Sequence, residues 1–206
     1  MPLKNMSQAM AGQPVAEVME TGVALTGLRD ADPAVRQQSA RALHGQRAAA
    51  EALCDAFGAE KDIPTREALA VAIMRTGTGI VAEKLMPLLS SENAALRNTV
   101  IEILQALPGE VAPHMEQLLD HPDSDVRIFA VNILEALRHP KVEDWLIAVI
   151  ATDRHPNVVG TALDLLGEVG TEAAIPELKR ISARFAGEPY LQFAASNAIK
   201  RIGAGA

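Results

Sequence analysis

The sequence predicts an all-α fold: a right-handed α-solenoid, or superhelix, of about six stacked antiparallel helix pairs. Three observations predict it. An Asp or Asn followed four positions later by Arg recurs about every 30 residues, the positions behind each arginine are apolar at helical spacing, and the composition suits close helix packing. Of the 206 residues 49% are hydrophobic but only 3% aromatic, so the core must come from Ala, Leu, Ile and Val. Small side chains let helices approach closely, whereas a sandwich or barrel core is normally anchored by aromatics.

The recurring signature sets the element order. It reads Asp32/Arg36 in DPAVR, Asp62/Arg66 in DIPTR, Asn93/Arg97 in NAALR and Asp123/Arg127 in DSDVR, with arginines 30, 31 and 30 residues apart. The same slots continue as His155/Val159 in HPNVV and Glu188/Gln192 in EPYLQ. Asp, Asn or Glu at or near the N-cap supplies a side-chain oxygen that can accept from free backbone N–H groups. Pro33, Pro156 and Pro189 then stand at a first helical position, where a missing N–H is tolerated. Apolar residues follow three, four, six and seven positions behind the arginine slot. They are Val100, Ile101, Ile103 and Leu104 in one repeat, Ala130, Val131, Ile133 and Leu134 in the next, and Ala162, Leu163, Leu165 and Leu166 in the one after. That spacing is one face of a helix.

A second apolar-periodic segment precedes each signature: AEVMETGVALTGL, AAAEALCDAF, GIVAEKLMPLL, EVAPHMEQLL, VEDWLIAVIA and AAIPELKRISARF. The unit is therefore a helix pair, and a pair this short buries its apolar faces only by stacking on its neighbours. Repeats are expected at 14–46, 47–77, 78–108, 109–138, 139–170 and 171–204. They form a single repeat domain over 14–206 behind a flexible N-terminal tail over 1–13. The polar last helix, with Gln192, Ser196, Asn197, Lys200 and Arg201, reads as a terminal cap.

The D-x-x-V/L-R start followed by a small-apolar helix resembles the HEAT repeat, in the short bacterial variety known from phycobilin-lyase subunits, over roughly residues 14–204. The resemblance implies an inter-repeat ladder. In it, Arg36, Arg66, Arg97 and Arg127 reach the capping-slot side chains of adjacent repeats, Asp32, Asp62, Asn93 and Asp123, and the ladder ends where Val159 and Gln192 replace arginine. It also implies that the second helix of each pair lines a concave face.

Composition excludes several function classes. A net charge of −7, from 19 basic and 26 acidic residues, opposes the clustered cations that phosphate contacts require, so nucleic acid is not an expected partner. The same balance, with one Trp, one Tyr and four Phe, departs from HEAT-like alkylation-repair glycosylases. HEAT-like iron hydroxylases carry His-Glu dipeptides, but the five histidines here precede Gly45, Met115, Pro122, Pro140 and Pro156. His121 and His155 fall in turns on the order of 10 Å apart, too far to share a metal. GTGTGI-like wording in RTGTGIVAEK has no preceding strand and reads as a turn. The single Cys54 reads as a buried thiol in a reducing compartment. With no signal-peptide-like start and no long apolar run, no membrane association is expected and the location is read as cytoplasmic.

No catalytic, metal or cofactor site is expected, and what remains is surface. The outward stripe of the second helices, one, five and eight residues behind each arginine slot, marks a protein-binding face. Its members are Arg41, Glu67, Val71, Met74, Glu102, Gln105, Ile128, Asn132, Glu135, Asp164 and Phe193. Apolar points framed by carboxylates suit a basic or amphipathic segment of another protein. The leading reading is a non-catalytic scaffold or adaptor for protein–protein interaction. The resemblance supplies an alternative, a chromophore lyase or cofactor-attachment chaperone subunit like the phycobilin lyases.

Overall fold

The computed structural model describes residues 13–205; the tail expected over 1–13 lies outside the described residues but for Gln13. All regular structure among them is helical. The described residues group into two compact units, divided after Leu85.

The first unit holds α1 (Gln13–Gly27), α2 (Pro33–Ala42), α3 (Ala50–Ala59), α4 (Ile63–Thr76) and α5 (Gly79–Leu85). Consecutive helices pack antiparallel-pair fashion, α1 on α2 and α3 on α4, while α2 on α4 and α3 on α5 join one pair to the next. Leu43, Leu53, Phe57, Leu69, Ile73 and Leu85 are completely enclosed. Gly77 closes α4 at φ +50°, a left-handed position that a side chain would strain.

The second unit opens with a 3-10 turn, Met86–Ser90, and holds α6 (Ala94–Ala106), α7 (Pro108–Val111), α8 (Met115–Leu119), α9 (Ser124–Ala136), α10 (Val142–Thr152), α11 (Pro156–Val169), α12 (Ile175–Arg184) and α13 (Pro189–Gly205). The second helices stack in series, α6 on α9, α9 on α11 and α11 on α13. Of the twelve positions forecast as the apolar face of α6, α9 and α11, all but the half-buried Ile101 are buried. Gly167 shows how close the stack is: a Cβ there would stand 3.4 Å from the Ala198 Cα.

The first helices of the pairs depart from expectation. GIVAEKLMPLL is an α-helix only to Leu85 and then a 3-10 turn, and EVAPHMEQLL is broken into α7, a 3-10 turn at Ala112–His114, and α8. Pro87 and Pro113 explain both breaks, because an interior proline removes a helical hydrogen bond and crowds the preceding turn. Pro176 does no such damage, since it stands at the start of α12.

Candidate partner-binding face

The signature residues first build turns. Asp32 accepts from the Ala34 N–H, Asp62 from Thr65, Asn93 from Leu96 and Asp123 from Asp125, each capping its own helix. Two residues earlier a further side chain accepts from the N–H of the capping residue: Asp30 from Asp32, Glu60 from Asp62, Ser91 from Asn93, His121 from Asp123 and Asp153 from His155. The arginine completes the turn by donating to the carbonyl six residues before it. Arg36 reaches the oxygen of Asp30 (2.9 Å), Arg66 that of Glu60, Arg97 that of Ser91 (2.6 Å) and Arg127 that of His121 (2.8 Å).

Where the following turn presents a carboxylate, the same guanidinium also bridges repeats. Arg36 grips Glu60 through Nε (2.7 Å) and Nη2 (2.8 Å), and Arg127 grips Asp153 through Nε (2.7 Å) and Nη2 (3.1 Å). The acids of the ladder are thus Glu60 and Asp153, two residues before the capping positions, and the capping side chains of Asp32, Asp62, Asn93 and Asp123 are engaged within their own turns. The Nε atoms of Arg66 and Arg97 are buried without a partner among the described residues, and Arg97 instead lies 5.5 Å over the Phe129 ring. Glu60, held by Arg36 and by two backbone N–H groups, has its pKa lowered to about 2. Burial pushes Asp153 upward, but the bonds from Arg127 and the His155 N–H outweigh it and hold the carboxyl below its usual range.

The turn chemistry also continues past the last arginine of the signature. Gln192 Nε2 donates to the Ala186 carbonyl, again six residues back, at 3.0 Å. In the turn before α11, where Val159 offers no donor, Arg184 of α12 donates to the Asp153 carbonyl at 2.7 Å and also to that of Ile150. Sequence reasoning missed Glu60, Asp153 and Arg184. The acids were visible as D/E-x-D or D-x-H in the turns, but Arg184 comes from a different helix.

The residues of the expected stripe fall in both units. In the first unit Arg41, Glu67 and Val71 are exposed and Met74 is half-buried; Gln37, Arg41, His44, Glu67 and Val71 line one groove between α2 and α4. In the second unit Glu102, Glu135, Asp164 and Phe193 are exposed, while Gln105, Ile128 and Asn132 are half-buried. Gln105 donates to the Asn132 carbonyl at 2.8 Å and so ties α6 to α9. Asn132, Glu135 and Asp164 share a groove between α9 and α11 with Thr161 and Glu168.

Burial, the largest influence, and the neighbouring Asp55 push the Cys54 thiol up to about 12, which keeps it protonated and unreactive at neutral pH. His121 and His139 use Nδ1 to accept from the N–H groups of Asp123 and Lys141 in their turns. Among the described residues no three His, Cys, Asp or Glu side chains converge as a metal site requires, and no helix is long and apolar enough to cross a membrane.

Helix pairs stacked through their second helices, with a repeated capped turn, define a helical-repeat protein. Residues 111–200 match the family model for HEAT repeats. Among solved structures the chain is similar to the complex of CpcE and CpcF of phycocyanin lyase from Nostoc sp. PCC7120, at 20% identity and a TM-score of 0.39 over 99% of this chain and 97% of that one. No curated protein matches it.

Proposed function

We propose that this chain is a non-catalytic scaffold or adaptor that holds another protein on the exposed face of its second helices. One observation carries the reading: stripe residues from consecutive second helices come together in grooves, Arg41 of α2 with Glu67 and Val71 of α4 in the first unit and Glu135 of α9 with Asp164 of α11 in the second. Val71 in the first unit and Phe193 in the second stand 48% and 70% exposed, and burial of either against a partner would remove apolar surface from water. The carboxylates favour a basic or amphipathic segment, since complementary charge orients the encounter and raises its rate. A cytoplasmic setting and a bacterial source belong to the same reading.

Affinity capture from native lysate, followed by mass spectrometry, tests it. The control is the Glu67→Lys/Glu102→Lys/Glu135→Lys variant, whose three sites are exposed and whose fold is checked by circular dichroism. A protein held by the parent chain and lost by the folded variant supports the reading. Equal capture by both would remove the face from it, and a coloured cofactor in place of a protein would replace it with a chromophore-handling role.

A further inference from the structure

The second unit exposes two aromatic side chains on α13. Phe193 is 70% exposed and Tyr190, one turn earlier on α13, is 58% exposed, while Phe57 and Trp145 are buried. Tyr190 is nevertheless fixed. Its hydroxyl donates to Asp164 Oδ2 at 3.0 Å, and its ring lies so close over Gly160 that a Cβ there would come within 3.1 Å of Cε1. An aromatic held this way presents contact area that loses little freedom on binding.

Beside it lies the groove between α9 and α11, walled by Glu135, Asp164 and Glu168. Neither Glu135 nor Asp164 has an ion-pair partner among the described residues, and Glu168 meets only the exposed Arg201, at 3.7 Å. A groove walled by carboxylates is complemented by a cation carried on an extended partner. Both features favour arginine over lysine, because a planar guanidinium pairs with a carboxylate through two bonds and also stacks on an aromatic face.

We propose that the α13 face bearing Tyr190 and Phe193, together with the adjoining α9–α11 groove, docks an arginine-bearing segment of a partner protein. The guanidinium would meet Glu135 and Asp164, and an apolar neighbour in the segment would cover Phe193. This rests on the partner-binding reading above and narrows it to one site and one chemistry.

Tyr190 is the only tyrosine in the chain, so tyrosine labelled with carbon-13 gives a single ring signal from within the site. The full chain is titrated with a synthetic peptide of alternating arginine and leucine, and with the same peptide carrying neutral citrulline for arginine. A saturable shift of the Tyr190 signal is expected with the arginine peptide, with affinity about tenfold lower for the citrulline peptide. Glu135→Gln/Asp164→Asn and, separately, Phe193→Ser should each weaken binding about tenfold, and Asp144→Asn, on α10 and outside the stripe, should leave it unchanged. All these side chains are exposed, and circular dichroism checks each fold. An unmoved Tyr190 signal, equal affinity for both peptides, or variants that bind as the parent does would overturn the proposal. Binding that falls with Glu67→Gln while the Tyr190 signal stays still would sink this site and leave the scaffold reading standing.

Discussion

Arg36 and Glu60 show how one side chain can serve two structures at once. The guanidinium closes its own turn through the Asp30 and Ala31 carbonyls and crosses to the Glu60 carboxylate, which in turn accepts from the N–H groups of Lys61 and Asp62. Glu60 is 8% exposed, so its charge is stable only while these donors stay in place. Its folded pKa of about 2 lies below the ordinary 4.5, so the folded state favours the ionised form. The resulting stabilisation is fully present above pH 4.5 and is lost as pH falls toward 2. Replacing Glu60 by Gln should therefore destabilise the protein at neutral pH by on the order of 1–3 kcal/mol, with the gap closing as pH falls through that window. Urea unfolding of both proteins from pH 7 to pH 2.5 measures it; a gap independent of pH would mean that packing, not charge, holds this turn.

At the scale of the element, the second helices were the most legible in the sequence because their apolar period and their caps agree. α11 is the exception in detail. His155 occupies the capping slot but makes no capping bond, and its Nδ1 is buried without a partner among the described residues. Asp at that slot caps α2, α4 and α9, in two of them with an acid two residues before it, as Asp153 stands here. His155→Asp is therefore expected to stabilise the protein by about 1 kcal/mol, seen as a higher melting temperature in calorimetry. A lower one would mean that repulsion from Asp153 outweighs the cap. The first helices were less legible, because apolar periodicity does not register that Pro87 and Pro113 lack an N–H.

At the scale of the whole molecule, stability is divided among neighbouring helices. Enclosing one leucine stabilises by about 1.5–3 kcal/mol, more than an exposed ion pair contributes, so the apolar faces hold the pairs together and the arginines set the turns between them. Removal of residues 170–206 takes away α12 and α13 and uncovers the α11 face that α13 packs against. Because each repeat touches mainly its neighbours, the remnant should stay helical and soluble with a lower melting temperature; a coil spectrum by circular dichroism would show instead that the second unit folds all or none. The sequence by itself determined the helix-pair repeat, its period, the capping residues and the inward faces, because each of these is local or periodic along the chain. Only the tertiary structure decided that Glu60 and Asp153 are the rungs, that Arg184 stands in for a missing arginine, and that Tyr190 is pinned to Asp164. Those pairings join residues 24 to 31 positions apart, and which side chains meet across that distance depends on how the helices pack.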